Sequence, residues 1–403
     1  MALLKKVAFV LLALVLLSLA KHLLDRYSRG SIVFHYNLLT CIQYFLLMGT
    51  LFILLVQSVA WIFRKRSLKL WHCAAAYLAL LCCTEAYLYY ALRNSEKVSD
   101  GFHQLLTEYY ATYEINYPRL DYDPVLSYTL KKNAVYNHNN IEFSNRIHAN
   151  SAGLRDDSAS LVKPDIICLG DSYTMGWGVR HEQSWPQQLE KLTGLKVLNA
   201  GISSYGTVRE LLLLERLDTS NLKCLVIQYC YNDWPENDTF LKHNRYLPVG
   251  SQQTINRTFK SYQLARIYFP FKYSLTMLRM FIRNKWLGDK AKDATLPWMY
   301  SLDYVEPSAD AFLEVLYKSK LNFRDWNIII IDTNRYPAYD HHFMEAVEKR
   351  LRERNYAEAF KRSIRLVAFP ELNDQRYFYP LDNHLNTEGN RLVALKVMEQ
   401  LRK

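Results

Sequence analysis

Two apolar runs, at residues 38–63 and 70–92, constrain this chain more than any other feature of it. Each exceeds the roughly 20 residues that cross a bilayer. In hydrocarbon a single segment can satisfy its own backbone only as a helix. A shorter run at 7–20, after Lys5-Lys6, reads as a third helix and an uncleaved anchor; ending in Ser18-Leu19-Ala20, it also fits a signal peptide. Glu85 interrupts the run at 70–92, so one face of that helix is expected to look toward protein or water.

Charge gives the topology. The chain carries a formal +11, of which +8 falls within residues 1–94 and only +3 in the rest. That distribution argues against a nucleic-acid partner and for a membrane surface. Arg64, Lys65, Arg66 and Lys69 crowd the short loop between the two long runs. By the positive-inside rule this loop is cytoplasmic, which places residues 95–403 outside the cytoplasm. In a bacterium that means a multi-pass protein of the inner membrane with a periplasmic domain. The partner expected from charge and hydropathy is the bilayer itself.

Seven cysteines form no disulfide framework, and no Cys/His spacing suits a metal. His341 and Glu345 stand one helical turn apart, a spacing that a solvated helix face explains. No cofactor motif is present, since "GDSYTMGWG" lacks the glycine spacing of a dinucleotide site.

Three regions are expected: a membrane region at 1–94, a linker and lead-in at 95–160, and a catalytic domain at 161–403 with an insertion at about 234–305. In the lead-in, "YDPVLSYTLKKNAVY" and "NSAGLRDD" read as extended pieces after a linker helix. Beyond it, five short apolar segments alternate with helical patterns: "DIICLG", "LKVLNAG", "KCLVIQYC", "WNIIIIDTN" and "IRLVAF". That alternation predicts a five-stranded parallel sheet in a three-layer α/β/α sandwich, preceded by transmembrane helices. The aromatic and basic insertion reads as helices packed on the domain, or as a lid or lipid-facing segment. Two sequons, at Asn237 and Asn256, are of the kind chance supplies.

The loops after these strands carry the chemistry. Gly170-Asp171-Ser172 follows the first strand, Asn199-Ala200-Gly201 the second and Asn232-Asp233 the third. Asp382 and His384 precede the last helix. In a parallel sheet these loops share one edge, where ligands bind. A serine hydroxyl needs a base, for which His384 is placed, and the imidazole needs an orienting carboxylate such as Asp382. The tetrahedral oxyanion needs donors: the Ser172 amide, the Gly201 amide and the Asn232 side chain. Asp171 and Asp233 read as structural, while Tyr173 and Trp177 line either a pocket or the core. The arrangement requires Ser172 Oγ within about 3.5 Å of a His384 ring nitrogen.

These four blocks, in this order over residues 165–403, resemble the SGNH (GDSL) hydrolase superfamily, and "NSAGLRDD" is similar to the lead-in of its membrane-linked and secreted members. The resemblance implies a flavodoxin-like sheet, Ser172 as nucleophile, Gly201 and Asn232 as oxyanion donors and His384 as base. It implies an acylated glycan or lipid as substrate and a membrane acyl-transfer protein as a further partner, while the residues themselves point to no cofactor and no metal. It also implies an ester hydrolase, or an O-acyltransferase if a sugar hydroxyl accepts the acyl group; a non-catalytic glycan-binding or assembly protein of the same fold is the third reading. Two positions depart from the pattern. Cys230 replaces the usual glycine before Asn232, and the acid stands two rather than three residues before the histidine. The α/β-hydrolase elbow is disfavoured, since Thr174 occupies its last glycine and the serine follows the first strand of the domain.

Overall fold

The computed structural model describes residues 33–62, 69–287, 301–333 and 342–402. The run at 7–20 and the residues Arg64, Lys65 and Arg66 lie outside them, as does His341. The chain forms two compact units: residues 1–116 with 256–289, and 117–255 with 290–403.

The first unit contains helices α1 (Val33–Ile62), α2 (Leu70–Arg93) and α3 (Asp100–Tyr113). By length and composition, α2 is long and apolar enough to cross a membrane; among the described residues it is the one such helix, and the apolar stretch Phe45–Ala60 of α1 is shorter. The expectation of several spanning helices is thus met by a single candidate.

The segment read as one insertion is divided between the units. Helix α7 (Asp233–Lys242) stays with the sheet. Residues 256–289, holding most of α8 (Gln252–Ala265) and all of α9 (Lys272–Leu287), join the apolar helices. Glu85 explains why. Its Oε1 accepts from the Tyr273 N–H (3.1 Å) and the Tyr268 hydroxyl (3.1 Å), and its Oε2 from the Ser274 N–H (2.8 Å) and hydroxyl (2.7 Å). The first amides of α9 have no intrahelical acceptor, so a carboxylate from α2 serves as their cap. Behind it, the buried Lys272 pairs with Glu114 at 3.0 Å.

The second unit opens with two antiparallel hairpins, β1 (Leu120–Asp123) with β2 (Ser127–Leu130) and β3 (Val135–Asn139) with β4 (Ser144–His148). "NSAGLRDD" is a tight turn rather than the extended piece expected. Asn150 Oδ1 accepts from the Ala152 and Leu154 amides, and Gly153 takes φ +78° where a Cβ would lie 2.6 Å from the Leu130 carbonyl. Asn and Gly are the residues that make such a turn.

Then come β5 (Ile166–Leu169), the short helix α4 (Ser172–Met175), α5 (Trp185–Thr193), β6 (Val197–Asn199), α6 (Thr207–Leu214) and β7 (Cys224–Tyr229). After α7 follow α10 (Val305–Tyr317), β8 (Asn327–Asp332), α11 (His342–Glu353), α12 (Glu358–Ser363), β9 (Ile364–Val367) and α13 (Thr387–Leu401). The sheet is parallel throughout, in the order β6-β5-β7-β8-β9. Every residue of β5, β6 and β7 is buried, as strands covered on both faces must be. Asn237 is fully buried, with Nδ2 donating to Thr207 Oγ1, so its sequon is packing.

Candidate active site

The nucleophile turn is built from glycine and side-chain hydrogen bonds. Gly170 has φ +155°, and a Cβ there would lie 2.1 Å from Thr174 Oγ1 and 2.6 Å from Gln228 Oε1. Gln228 reaches up from β7 and accepts from the Asp171 N–H (3.2 Å) and the Thr174 hydroxyl (3.1 Å). Asp171 caps α4 by accepting from the Tyr173 N–H at 2.9 Å. Ser172 is thereby the first residue of α4, where an amide N–H has no intrahelical acceptor.

Ser172 Oγ lies 2.7 Å from His384 Nε2, and His384 Nδ1 contacts Asp382 Oδ1. The separation of two residues between acid and histidine works because Asn383 sits at φ +60°, a left-handed conformation that asparagine tolerates. The turn is closed by hydrogen bonds between Tyr379 and both Asn383 and His384. Asp382 is only 2% exposed at its side chain, against 21% for His384. A buried carboxylate needs donors. Trp177 Nε1 and Asn140 Nδ2 each donate to its Oδ2 at 3.1 Å. Glu142 accepts from the Leu381 and Asp382 amides at 2.9 and 2.8 Å, tying the whole turn to the β3–β4 hairpin.

Tyr173 and Trp177 belong to this arrangement as well as to the core. The Trp177 ring stacks 5.1 Å from the His384 ring at 22°. The Tyr173 ring lies 5.0 Å from it, with its hydroxyl donating to the Asn383 carbonyl. Arg155, fully buried, donates to the carbonyls of Met175, Gly176 and Val179, which fixes the loop that carries Trp177. Burial pushes its pKa down to about 10, against the opposing pull of Tyr136, Glu182 and Tyr379.

Gly201 and Asn232 are adjacent to the nucleophile turn. A Cβ on Gly201 would lie 2.3 Å from the Met175 amide nitrogen, so only glycine permits this approach. The neighbouring Ile202 N–H donates to the Gly170 carbonyl at 3.0 Å. The Gly201 N–H itself is engaged by Asn199 Oδ1 at 3.0 Å, which differs from an amide left open for an anion. Asn232 immediately precedes α7, and its Oδ1 is buried without a partner. Burial raises the pKa of Asp171, while the Tyr173 N–H, the charge of His384, and Cys230 and Asn232 pull it down.

Beneath these loops lies a cluster of acids. Glu210 and Asp233 are completely buried, and burial raises both pKa values well above the ordinary ones, helped at Glu210 by the charges of Asp233 and Asp171 and at Asp233 by those of Asp171 and Glu236. The Thr207 hydroxyl donates to Asp233 Oδ2 at 2.6 Å. The structural reading of Asp233 accords with this placement.

Sequence reasoning missed Asn140, Glu142, Arg155 and Glu210. Asn140 and Glu142 sit in a hairpin turn more than 200 residues from the acid they hold, and no local pattern links them.

Residues 168–392 match the GDSL-like lipase/acylhydrolase family, which is more than half of the chain. The chain belongs to this family. Membership carries ester-bond hydrolysis as the class of activity. Among solved structures, a protein described as lipolytic and of the G-D-S-L family, from Desulfitobacterium hafniense DCB-2, is similar over 58% of this chain and 97% of its own. The identity is 14% and the TM-score 0.27, too loose a likeness to bear on the site. No curated protein matches the chain.

Proposed function

We propose that the protein is a membrane-anchored serine esterase that removes O-acyl groups from an extracytoplasmic glycan or lipid. The observation that carries the reading is the contact of Ser172 Oγ with His384 Nε2 at 2.7 Å, with Asp382 on the other ring nitrogen. In this reading His384 takes the Ser172 proton as Oγ attacks the ester carbonyl. The oxyanion is met by the Ser172 amide and the Asn232 side chain. The Gly201 amide joins them only by leaving Asn199. His384 then protonates the departing alcohol, which leaves an acyl-Ser172 ester. Water, deprotonated by the same imidazole, releases the acid. A sugar hydroxyl in place of water would make the same intermediate that of an O-acyltransferase. The two apolar helices support the membrane anchor, and the basic cluster between them supports an extracytoplasmic site.

The test is fluorophosphonate labelling of the purified full chain, with mass mapping of the modified residue. Label is expected on Ser172 and lost in both Ser172→Ala and His384→Ala, with thermal stability nearly unchanged. Label at another serine, or retained in His384→Ala, would refute the assignment.

A further inference from the structure

The β3–β4 hairpin has two faces of different chemistry. Alternation in a strand sends every second side chain to the same face. Tyr136, His138, Asn145 and Ile147 are buried, and His138 and Phe143 pack toward Trp177 and Tyr379. The outward positions are Val135, Asn137, Asn139, Ser144, Arg146 and His148, with Val135 and His148 paired at the open end. An exposed hairpin face is usually a mixture, but this one has no acid and no apolar residue inside its ends. With Arg180, His181 and Glu182 it lines a cavity of about 460 Å³, within the ~300–1,000 Å³ of ordinary ligand sites.

Two buried polar atoms in that lining lack partners. Asn145 is 7% exposed; its Nδ2 donates to the Val179 carbonyl, while its Oδ1 has no donor. His181 Nδ1 is likewise buried and unpartnered. A buried acceptor without a donor is costly, and a ligand hydroxyl would relieve it. Charge adds a second requirement. Arg180 is paired with Glu182 at 3.0 Å, whereas Arg146 has no partner among the described residues. The cavity therefore presents one unneutralised guanidinium among amides and a hydroxyl.

Both walls of the cavity lead to the catalytic groups. Asn139 lines it, and the next residue, Asn140, donates to Asp382, so the strand that forms one wall runs directly into the turn that holds the catalytic acid. Arg180 lines the other side, three residues after the Trp177 that stacks on His384.

From this placement we infer that the outer face of the hairpin is a substrate subsite for a carboxylate-bearing sugar next to the esterified unit. Amides and hydroxyls pair with the donors and acceptors of a sugar, and a free guanidinium recognises a carboxylate in a two-pronged bond. The inference deepens the esterase reading above and rests on it for the reaction; of the glycan and lipid left open there, the amides and the free guanidinium select an acidic glycan carrying O-acyl esters.

The test is calorimetric binding of two unacylated probes to the full chain in detergent: hexagalacturonate, with a carboxylate on every ring, and neutral cellohexaose. Hexagalacturonate is expected to bind at least tenfold more tightly than cellohexaose. Arg146→Gln should weaken it about tenfold, the loss of one charge-assisted pair, and Asn137→Ala severalfold. Both residues are exposed, so folding is not at stake. Turnover of p-nitrophenyl acetate should be unchanged in both variants. Equal binding of the two probes, absence of binding, or full affinity in Arg146→Gln would overturn the subsite. Fluorophosphonate labelling of Ser172 reports separately on the esterase reading, so a chain that labels but does not discriminate the probes loses only the subsite.

Discussion

Replacing Glu210 by glutamine should stabilise the sheet-bearing unit at neutral pH and flatten its dependence on pH. Glu210 is fully buried with no hydrogen bond to either carboxylate oxygen, and it lies beside Asp233, fully buried as well. Desolvation first, then the neighbouring acids Asp233 and Asp171, raise its pKa in the folded chain. The unfolded chain releases this proton at about pH 4.3. A raised folded value means that stability is full below the unfolded pKa and falls as pH rises toward the folded one. While the folded chain holds one proton more than the unfolded chain, the loss is about 1.4 kcal/mol per pH unit. Each such pH unit is worth ~3–6 °C in Tm for a unit of this size. Asp156, pushed up to about 7 by burial, and Asp171 titrate in the same direction, so some slope remains in the variant. The assay is thermal unfolding of the full chain in detergent from pH 5 to pH 8, followed by tryptophan fluorescence at a fixed scan rate. Glu210→Gln should lose about one proton's worth of slope and exceed the parent in Tm at pH 7. Parallel pH profiles for the two proteins would refute the reasoning.

Three further outcomes are expected. Asn232→Ala should lower kcat on a short activated ester by ~10²–10³ with KM little changed, the loss of one oxyanion donor; a folded variant with parental kcat would remove Asn232 from the mechanism. Asn140→Ala should lower kcat about tenfold, the scale of one hydrogen bond to a buried carboxylate, with Asn140→Asp failing to restore it because a second acid cannot donate to Asp382; equal kcat in parent and Asn140→Ala would make the hairpin a bystander. A reporter active only outside the cytoplasm, fused to Lys403, should be active; a silent reporter beside an active cytoplasmic one would reverse the topology.

The sheet was legible because burial on both faces writes itself locally. A run as short and as β-branched as Ile328–Ile331 reads as a covered strand, and five such runs separated by helical patterns leave a parallel sheet as the economical arrangement. The positions of Ser172, Asp382 and His384 were legible for the same reason, since loops at one edge of a parallel sheet converge. Tertiary structure alone decided how these groups are held. The spacing of acid and histidine looked like a departure until the left-handed Asn383 accounted for it, and a dihedral angle of that kind is chosen by the whole turn. Asn140 and Glu142 reach Asp382 across more than 200 residues, and Glu85 caps a helix 188 residues later. A hydrogen bond between distant residues leaves no periodicity in the sequence, because each partner needs only a compatible atom at the right place. Hydrophobic burial is additive along a segment and therefore readable, whereas polar satisfaction is pairwise and settled only when the chain has folded.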